Sequence, residues 1–346
     1  MTGMKEVTMP RPASEVFAWS RRLVAPALRN AVDTIPGPLR QIAGYHFGWC
    51  DEYGNPVETG GGRAIRPALT LLSALAVGGE VQPALPAAVA AELVHNFSLM
   101  HHDVLGGELT RRHRRSAWSV FGRRNAILAG DALLTLACDV LVASEHPRVR
   151  TGLRRLTSTV LELLRGQQAD LAFECRDDVD LGECQHMAAG RAGALFGCAC
   201  ALGALFGAGT PAQVDHLRRF GQRLGLAAQH LDDLLGIWGD PGITGRPVYS
   251  DLDNRRKSLP IVAALTSGSA AGQELAVLYH RDTPLSVGEL GHAAALVERA
   301  GGRAWSQAQT GYLLDSALRE LDAAEPVGQP GAELAALARL VTAQAG

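Results

Sequence analysis

Apolar residues in this chain recur three and four positions apart, as at Leu69, Leu72 and Ala76 and again at Leu134, Cys138 and Leu141, while strand-like alternation is nearly absent. That spacing lines up one face of a helix and gives a pleated strand no consistent inside. Alanine and leucine dominate these runs, and both favour helix. Pro/Gly clusters punctuate the chain at Pro36-Gly37-Pro38, Gly60-Gly61-Gly62, Pro241-Gly242 and Pro330-Gly331, where helices are expected to stop. The pattern predicts an all-α fold. No charge shift or Ser/Pro linker divides the middle, and 346 residues suffice to bury a large core, so one domain is expected over residues 36–346. Residues 1–35 read as a leader segment, partly mobile. From about residue 325 onward a Pro/Gly turn leads into a last Ala/Leu helix.

The formal net charge is −2, so no basic excess points to nucleic acid or an anionic membrane. Lys5 and Lys257 are the only lysines among 33 cationic residues. Any phosphate-binding work therefore falls to arginine, whose planar fork suits phosphate oxygens. The six cysteines form no C-x-x-C pair and no zinc-like spacing with histidine, and they read as reduced, buried thiols. Residues 192–214 carry no charge and are long enough to raise the question of a membrane span. Their five glycines and the Thr210-Pro211 break favour a buried helix at the centre of a bundle instead. With no signal-peptide pattern over residues 1–13, the expected location is cytoplasmic, without a membrane span.

Chemistry concentrates in two stretches 129 residues apart. The first is His101-His102-Asp103-Val104-Leu105-Gly106-Gly107-Glu108, followed by Arg111-Arg112; the second is Gln229-His230-Leu231-Asp232-Asp233-Leu234-Leu235-Gly236, followed by Asp240. Acidic residues one turn apart share a helix face, and Mg²⁺ commonly binds through one or two carboxylates plus substrate phosphates. Cations follow each stretch: Arg111 to Arg115 around His113, and Arg246, Arg255 and Arg256 in the loop after Asp240. Gly60-Gly61-Gly62-Arg63-Ala64-Ile65-Arg66 adds a Gly-rich loop with two arginines leading into an apolar helix, a place where backbone N–H groups can approach an anion. Together these elements suit a metal-bridged diphosphate.

The order of these pieces resembles the trans-isoprenyl diphosphate synthases, the polyprenyl synthetase family. Gly61-Gly62-Arg63-Ala64-Ile65-Arg66-Pro67 is similar to the family's GGKRxRP, His95 through His101 to its HxxSLxH, and Ala129-Gly130-Asp131-Ala132-Leu133-Leu134 to its AGDALL. Gly166-Gln167 with Asp170, Gln229 to Asp233, and Thr244-Gly245-Arg246-Pro247 through Leu259-Pro260 extend the likeness, which covers roughly residues 35–325.

The resemblance implies an isoprenoid-synthase-type helical bundle around a central cavity. It implies a prenyltransferase that condenses isopentenyl diphosphate with an allylic prenyl diphosphate, using Mg²⁺ with Mn²⁺ as a possible substitute. Arg63, Arg66, His95 and Arg112 match the isopentenyl diphosphate pocket. Arg111, Arg191, Gln229, Arg246 and Arg256 match groups around the allylic diphosphate. Asp103, Asp232 and Asp233, with Arg111, match the catalytic set; Glu108 and Asp240 join Asp103, Asp232 and Asp233 as metal candidates. Phe97, five residues before His102, matches a bulky position that floors the tail pocket and favours short C10–C20 products. Two departures stand out. The family's DDxxD falls on His102-Asp103-Val104-Leu105-Gly106, so two of its three carboxylates are missing, and Gly236 replaces the last acid of the second motif, for which Asp240 is the expected compensation. Loss of the first motif leaves two alternatives: a weak or silent binding subunit partnering an intact homologue, and a terpene synthase on the same fold. The resemblance also implies a homodimer.

Overall fold

A computed structural model describes residues 10–57, 64–281 and 283–343. Helices run in the order α1 (Ala13–Asp33), α2 (Gly37–Phe47), α3 (Ile65–Ala76), α4 (Val81–Leu105), α5 (Ala117–Phe121), α6 (Arg123–Ala143), α7 (Val149–Glu174), α8 (Leu181–Ala188), α9 (Ala194–Phe206), α10 (Pro211–Trp238), α11 (Pro241–Thr244), α12 (Ser250–Asp253), α13 (Leu259–Leu265), α14 (Ala270–Tyr279), α15 (Val287–Arg299), α16 (Gly302–Ala323) and α17 (Gln329–Thr342). Among the described residues the only strands are the two-residue β1 (Thr110–Arg111) and β2 (Arg114–Arg115), which pair as one antiparallel hairpin.

The expected helices form where their local signals lie. Thr210 caps α10 in a reciprocal box with Gln213, and Pro211 occupies its first turn. Asp180 and Glu183 do the same for α8. Helix α9 is buried at every position and packs against α3, α4, α7 and α10, so the uncharged run lies inside the protein as expected. Its contact with α3 depends on Gly203, where a Cβ would stand 2.0 Å from the Thr70 carbonyl oxygen. By length and composition two stretches, Arg123–Ala143 and Leu181–Phe206, could cross a membrane. The second contains α9, and 78% of its most apolar window is buried inside the protein.

Residues 13–33, expected as part of a leader, instead form α1, which buries Val16, Phe17, Val24, Leu28 and Val32 and packs on α3 and α4. Arg11 fixes this end: its backbone N–H and guanidinium donate to the Glu333 carboxylate of α17 at 2.7–3.0 Å. The amphipathic face of α1 joins the main apolar core, which explains its order. A second cluster built from α10 and α12 to α15 includes Ile237, Leu252, Ile261, Leu275 and Leu296, and it seats the loop that follows α10.

Candidate active site

Helices α3, α4, α7, α9 and α10 enclose a pocket of about 330 Å³. From α4 it receives His95, Ser98, Leu99 and His102, residues three and four apart that share one helix face. Arg66 enters from the first turn of α3, Arg111 from the hairpin, and Gln167 and Asp170 from α7. Helix α10 contributes Gln229, Asp232 and Asp233, and the loop after it contributes Arg246, Asp251, Arg256 and Ser258. Arg191 arrives from a single π-helical turn, Ala189–Gly193, an irregularity that often re-aims a side chain at a functional site. Five arginines and four aspartates thus meet over an apolar floor of Leu99, Leu163, Leu195 and Phe196.

The acids differ sharply from one another. Asp233 is buried, and its two oxygens accept from the Gln229 amide at 2.6 Å and the Leu259 N–H at 2.9 Å. Burial, reinforced by the charge of Asp251, pushes its carboxyl up to about 7. Asp251 is buried beside it, and burial raises its carboxyl to about 6, with Asp232 adding repulsion that Arg256 opposes. Asp232 is half exposed and pairs with Arg246 at 3.3 Å. Asp170 pairs with Arg191 at 2.7 Å.

On the α4 side the acids are committed to arginines. Asp103, only 1% exposed, does not line the pocket; it accepts a two-pronged set of hydrogen bonds from Arg111, with Nε at 2.8 and 2.9 Å from its two oxygens. Glu108 also lies outside the pocket lining and pairs with Arg256 at 2.6 Å. His102 does line it. Burial and the charges of Arg191, Arg256, Arg111 and Arg246 drive its imidazole down to about 2, so it stays neutral. Arg66 sits over the Phe196 ring at 4.6 Å; burial lowers its guanidinium to about 10, and its Nε has no hydrogen-bond partner. Burial and the flanking arginines, Arg66 first, hold His95 well below the usual histidine range.

Several expectations need correction. Asp240 does not line the pocket; its carboxylate accepts from the Gly242 N–H at 2.7 Å and caps α11. Phe97 is buried, with its ring 4.6 Å from that of His101, and does not line the pocket, because α4 turns Ser98 and Leu99 inward. Arg112 lies at the hairpin turn, outside this pocket, where it and His113 both have positive φ. That is the type I′ geometry two-residue hairpins favour. Arg63 lies outside the described residues. Asp251 and Ser258 were missed, and their only sequence signal was their place in a polar loop after the second acidic stretch.

The donor chemistry tests whether a hard cation fits. Among the described residues no three His, Cys, Asp or Glu side chains already converge as a complete metal cage, so an ion here needs oxygens from a substrate as well. The α10 side suits that demand, where buried Asp233 on the helix and buried Asp251 on the loop beside it repel each other, a repulsion that a cation would relieve. The unpartnered buried Oε1 of Gln167 adds an oxygen to the same pocket. The α4 wall does not suit it, since His102 and Gly106 stand where carboxylates would be and Asp103 is held by arginine.

An all-helical shell closing over an arginine- and aspartate-lined pocket defines the class of this protein as an isoprenoid-synthase-type fold. Residues 48–296 match the polyprenyl synthetase family, and the chain belongs to that family. It is 42% identical over 337 residues to the (2E,6E)-farnesyl diphosphate synthase of Mycobacterium tuberculosis, covering 96% of this chain and 94% of that protein. It is also 42% identical over 318 residues to the geranylgeranyl diphosphate synthase of the same organism, covering 91% and 89%. The crystal structure of a polyprenyl synthetase from Streptomyces coelicolor A3(2) superimposes with a TM-score of 0.91 at 42% identity, covering 95% of this chain and 99% of that one.

Proposed function

We propose that this chain is a short-chain trans-prenyltransferase that joins isopentenyl diphosphate to an allylic prenyl diphosphate. The observation that carries the reading is the pocket itself: Arg66, Arg111, Arg191, Arg246 and Arg256 face Asp232, Asp233 and Asp251 above an apolar floor. In the reaction the allylic C–O bond breaks and diphosphate leaves with the electron pair. The isopentenyl double bond then forms the new C–C bond, and a proton is lost to restore an alkene. Arg111, Arg191, Arg246 and Arg256 meet the negative charge that grows on the leaving diphosphate. Leu99, Leu163, Leu195 and Phe196 shield the carbocation from water. Arg66 and His95, which line the pocket, hold the isopentenyl diphosphate. Mg²⁺, which Asp232 and Asp233 would hold, supplies Lewis-acid stabilisation of the leaving group. Arg66, with an unsatisfied Nε, suits a diphosphate oxygen in particular.

The protein works in this reading as a cytoplasmic homodimer. Ile127, Leu128 and Val142 on α6 and Leu161 and Leu164 on α7 are 40–60% exposed, an apolar set that a second copy would cover.

A product assay tests the reading. Purified protein receives labelled isopentenyl diphosphate with dimethylallyl, geranyl or farnesyl diphosphate, in Mg²⁺ and separately in Mn²⁺. A lengthened prenyl diphosphate is the expected result. Hydrocarbon or alcohol released from the allylic substrate alone would mean a cyclase-type activity instead, and no turnover in either metal would leave a binding subunit.

A further inference from the structure

The first acidic stretch has histidine and glycine at two of the family's three carboxylate positions, His102 and Gly106, and each acid it keeps is tied to an arginine. Arg111 donates from Nε and Nη2 to the Asp103 carboxylate, and Arg256 donates from Nη2 to Oε1 of Glu108 at 2.6 Å. On α7, Asp170 accepts from Nη1 of Arg191 at 2.7 Å. These three guanidiniums line the pocket together with His102, whose ring they surround with positive charge. A Cβ built on Gly106 would lie 3.8 Å from Nη2 of Arg256. A carboxylate at 106 would be within reach of that guanidinium, so Arg256 stands where a cation held by such an acid would stand.

The two kinds of cation make different demands. Mg²⁺ requires near-octahedral oxygen coordination, and the retained acids of this stretch already give their oxygens to arginine. Drawing Asp103 or Glu108 onto an ion would strip a partner from Arg111 or Arg256, whose side chains are only 21% and 25% exposed, and leaving a largely buried charge unpaired is costly. A guanidinium carries five N–H donors in a planar fork. Binding one carboxylate uses some of them, and among the described residues Nη1 of Arg111 and Nε of Arg256 meet no other acceptor. Those donors suit phosphate oxygens, and the acid behind each arginine fixes its direction.

We infer that the α4 side of the pocket binds the diphosphate without a divalent ion: Arg111 anchored on Asp103, Arg256 on Glu108 and Arg191 on Asp170 take the place of a cation there. The metal requirement is thereby confined to the α10 side. The inference rests on the diphosphate reading above and states how one wall of that site holds its ligand.

The test is calorimetric titration of inorganic pyrophosphate into the full-length protein, in EDTA and again in Mg²⁺. The wild-type chain is expected to bind in EDTA with an affinity within about tenfold of that in Mg²⁺. His102→Asp combined with Gly106→Asp restores the two acids, which engage Arg256 and its neighbours. Binding in EDTA is then expected to weaken about tenfold or more and to recover in Mg²⁺. Arg256→Gln is expected to weaken binding about tenfold in EDTA without recovery in Mg²⁺. A wild-type chain that binds pyrophosphate only with Mg²⁺ overturns the inference, as does full wild-type affinity in EDTA for either variant. A lengthened product in the assay above would still leave prenyl transfer standing. A wild-type chain that binds pyrophosphate in neither condition overturns both.

Discussion

Asp103 shows how one residue type at one position can change role. The sequence marks it as the surviving acid of the first motif, a metal candidate and part of the catalytic set. In the fold it is buried and fully engaged by the Arg111 fork. A carboxylate held this way positions the arginine, and its removal leaves a partly buried cation without its partner. Asp103→Asn is therefore expected to raise the KM for the allylic diphosphate roughly tenfold or more. The metal concentration for half-maximal rate should stay within about twofold. Steady-state titrations of substrate and of Mg²⁺ separate the two, and a large metal shift with an unchanged KM would return Asp103 to the metal site. Gly236 carries the complementary lesson. Gly236→Ala forces a methyl group against the Asp251 carboxylate and is expected to cost about 1–3 kcal/mol of stability, readable in urea unfolding.

At the scale of elements, the close approach of α3 and α9 is a backbone contact. Gly203→Ala would press a methyl group to 2.0 Å from the Thr70 carbonyl, so the helices must separate. A loss of about 3 kcal/mol is expected, with a lower urea midpoint and an unchanged slope. The junction of α1 with α17 is electrostatic as well as apolar. Burial alone would raise the Glu333 carboxyl, but the hydrogen bonds from Arg11 outweigh it and hold the group below its ordinary value of 4.5. A depressed carboxyl stabilises the fold above its unfolded pKa and loses that contribution as pH falls through the folded value. Thermal stability should therefore decline on acidification below about pH 4.5, and Glu333→Gln should show less of that decline. At neutral pH the same variant should be less stable by about 3 kcal/mol, since it breaks a largely buried pair. Equal acid slopes in both proteins would show that the pair does not hold α1 in place.

For the whole molecule, the apolar residues on α6 and α7 set the expectation of a dimer. Light scattering should give twice the 36.6 kDa chain mass, and Leu161→Arg, at a site 60% exposed, should shift the mass toward one chain with the helical content intact. A wild-type protein that runs as a monomer would leave that face for another partner.

The amino-acid sequence by itself determined the all-α class, the buried character of the run around α9, and all five arginines of the pocket. Helical periodicity is local, and ordered motifs such as Gln229 to Asp233 are contiguous words. It also placed Arg66, His95, Arg191, Arg246 and Arg256 at one site through their resemblance to a family pattern. Only the tertiary structure decided which acids reach the pocket. Whether Asp103 meets solvent or Arg111, whether Asp240 caps a helix, and whether Asp251 folds back onto Gly236 depend on where a hairpin and a loop come to rest. Those positions are set by hydrogen bonds such as Tyr249 to Ile237. The order of α1 was hidden for the same reason: its apolar face acquires meaning only against α3, α4 and α17.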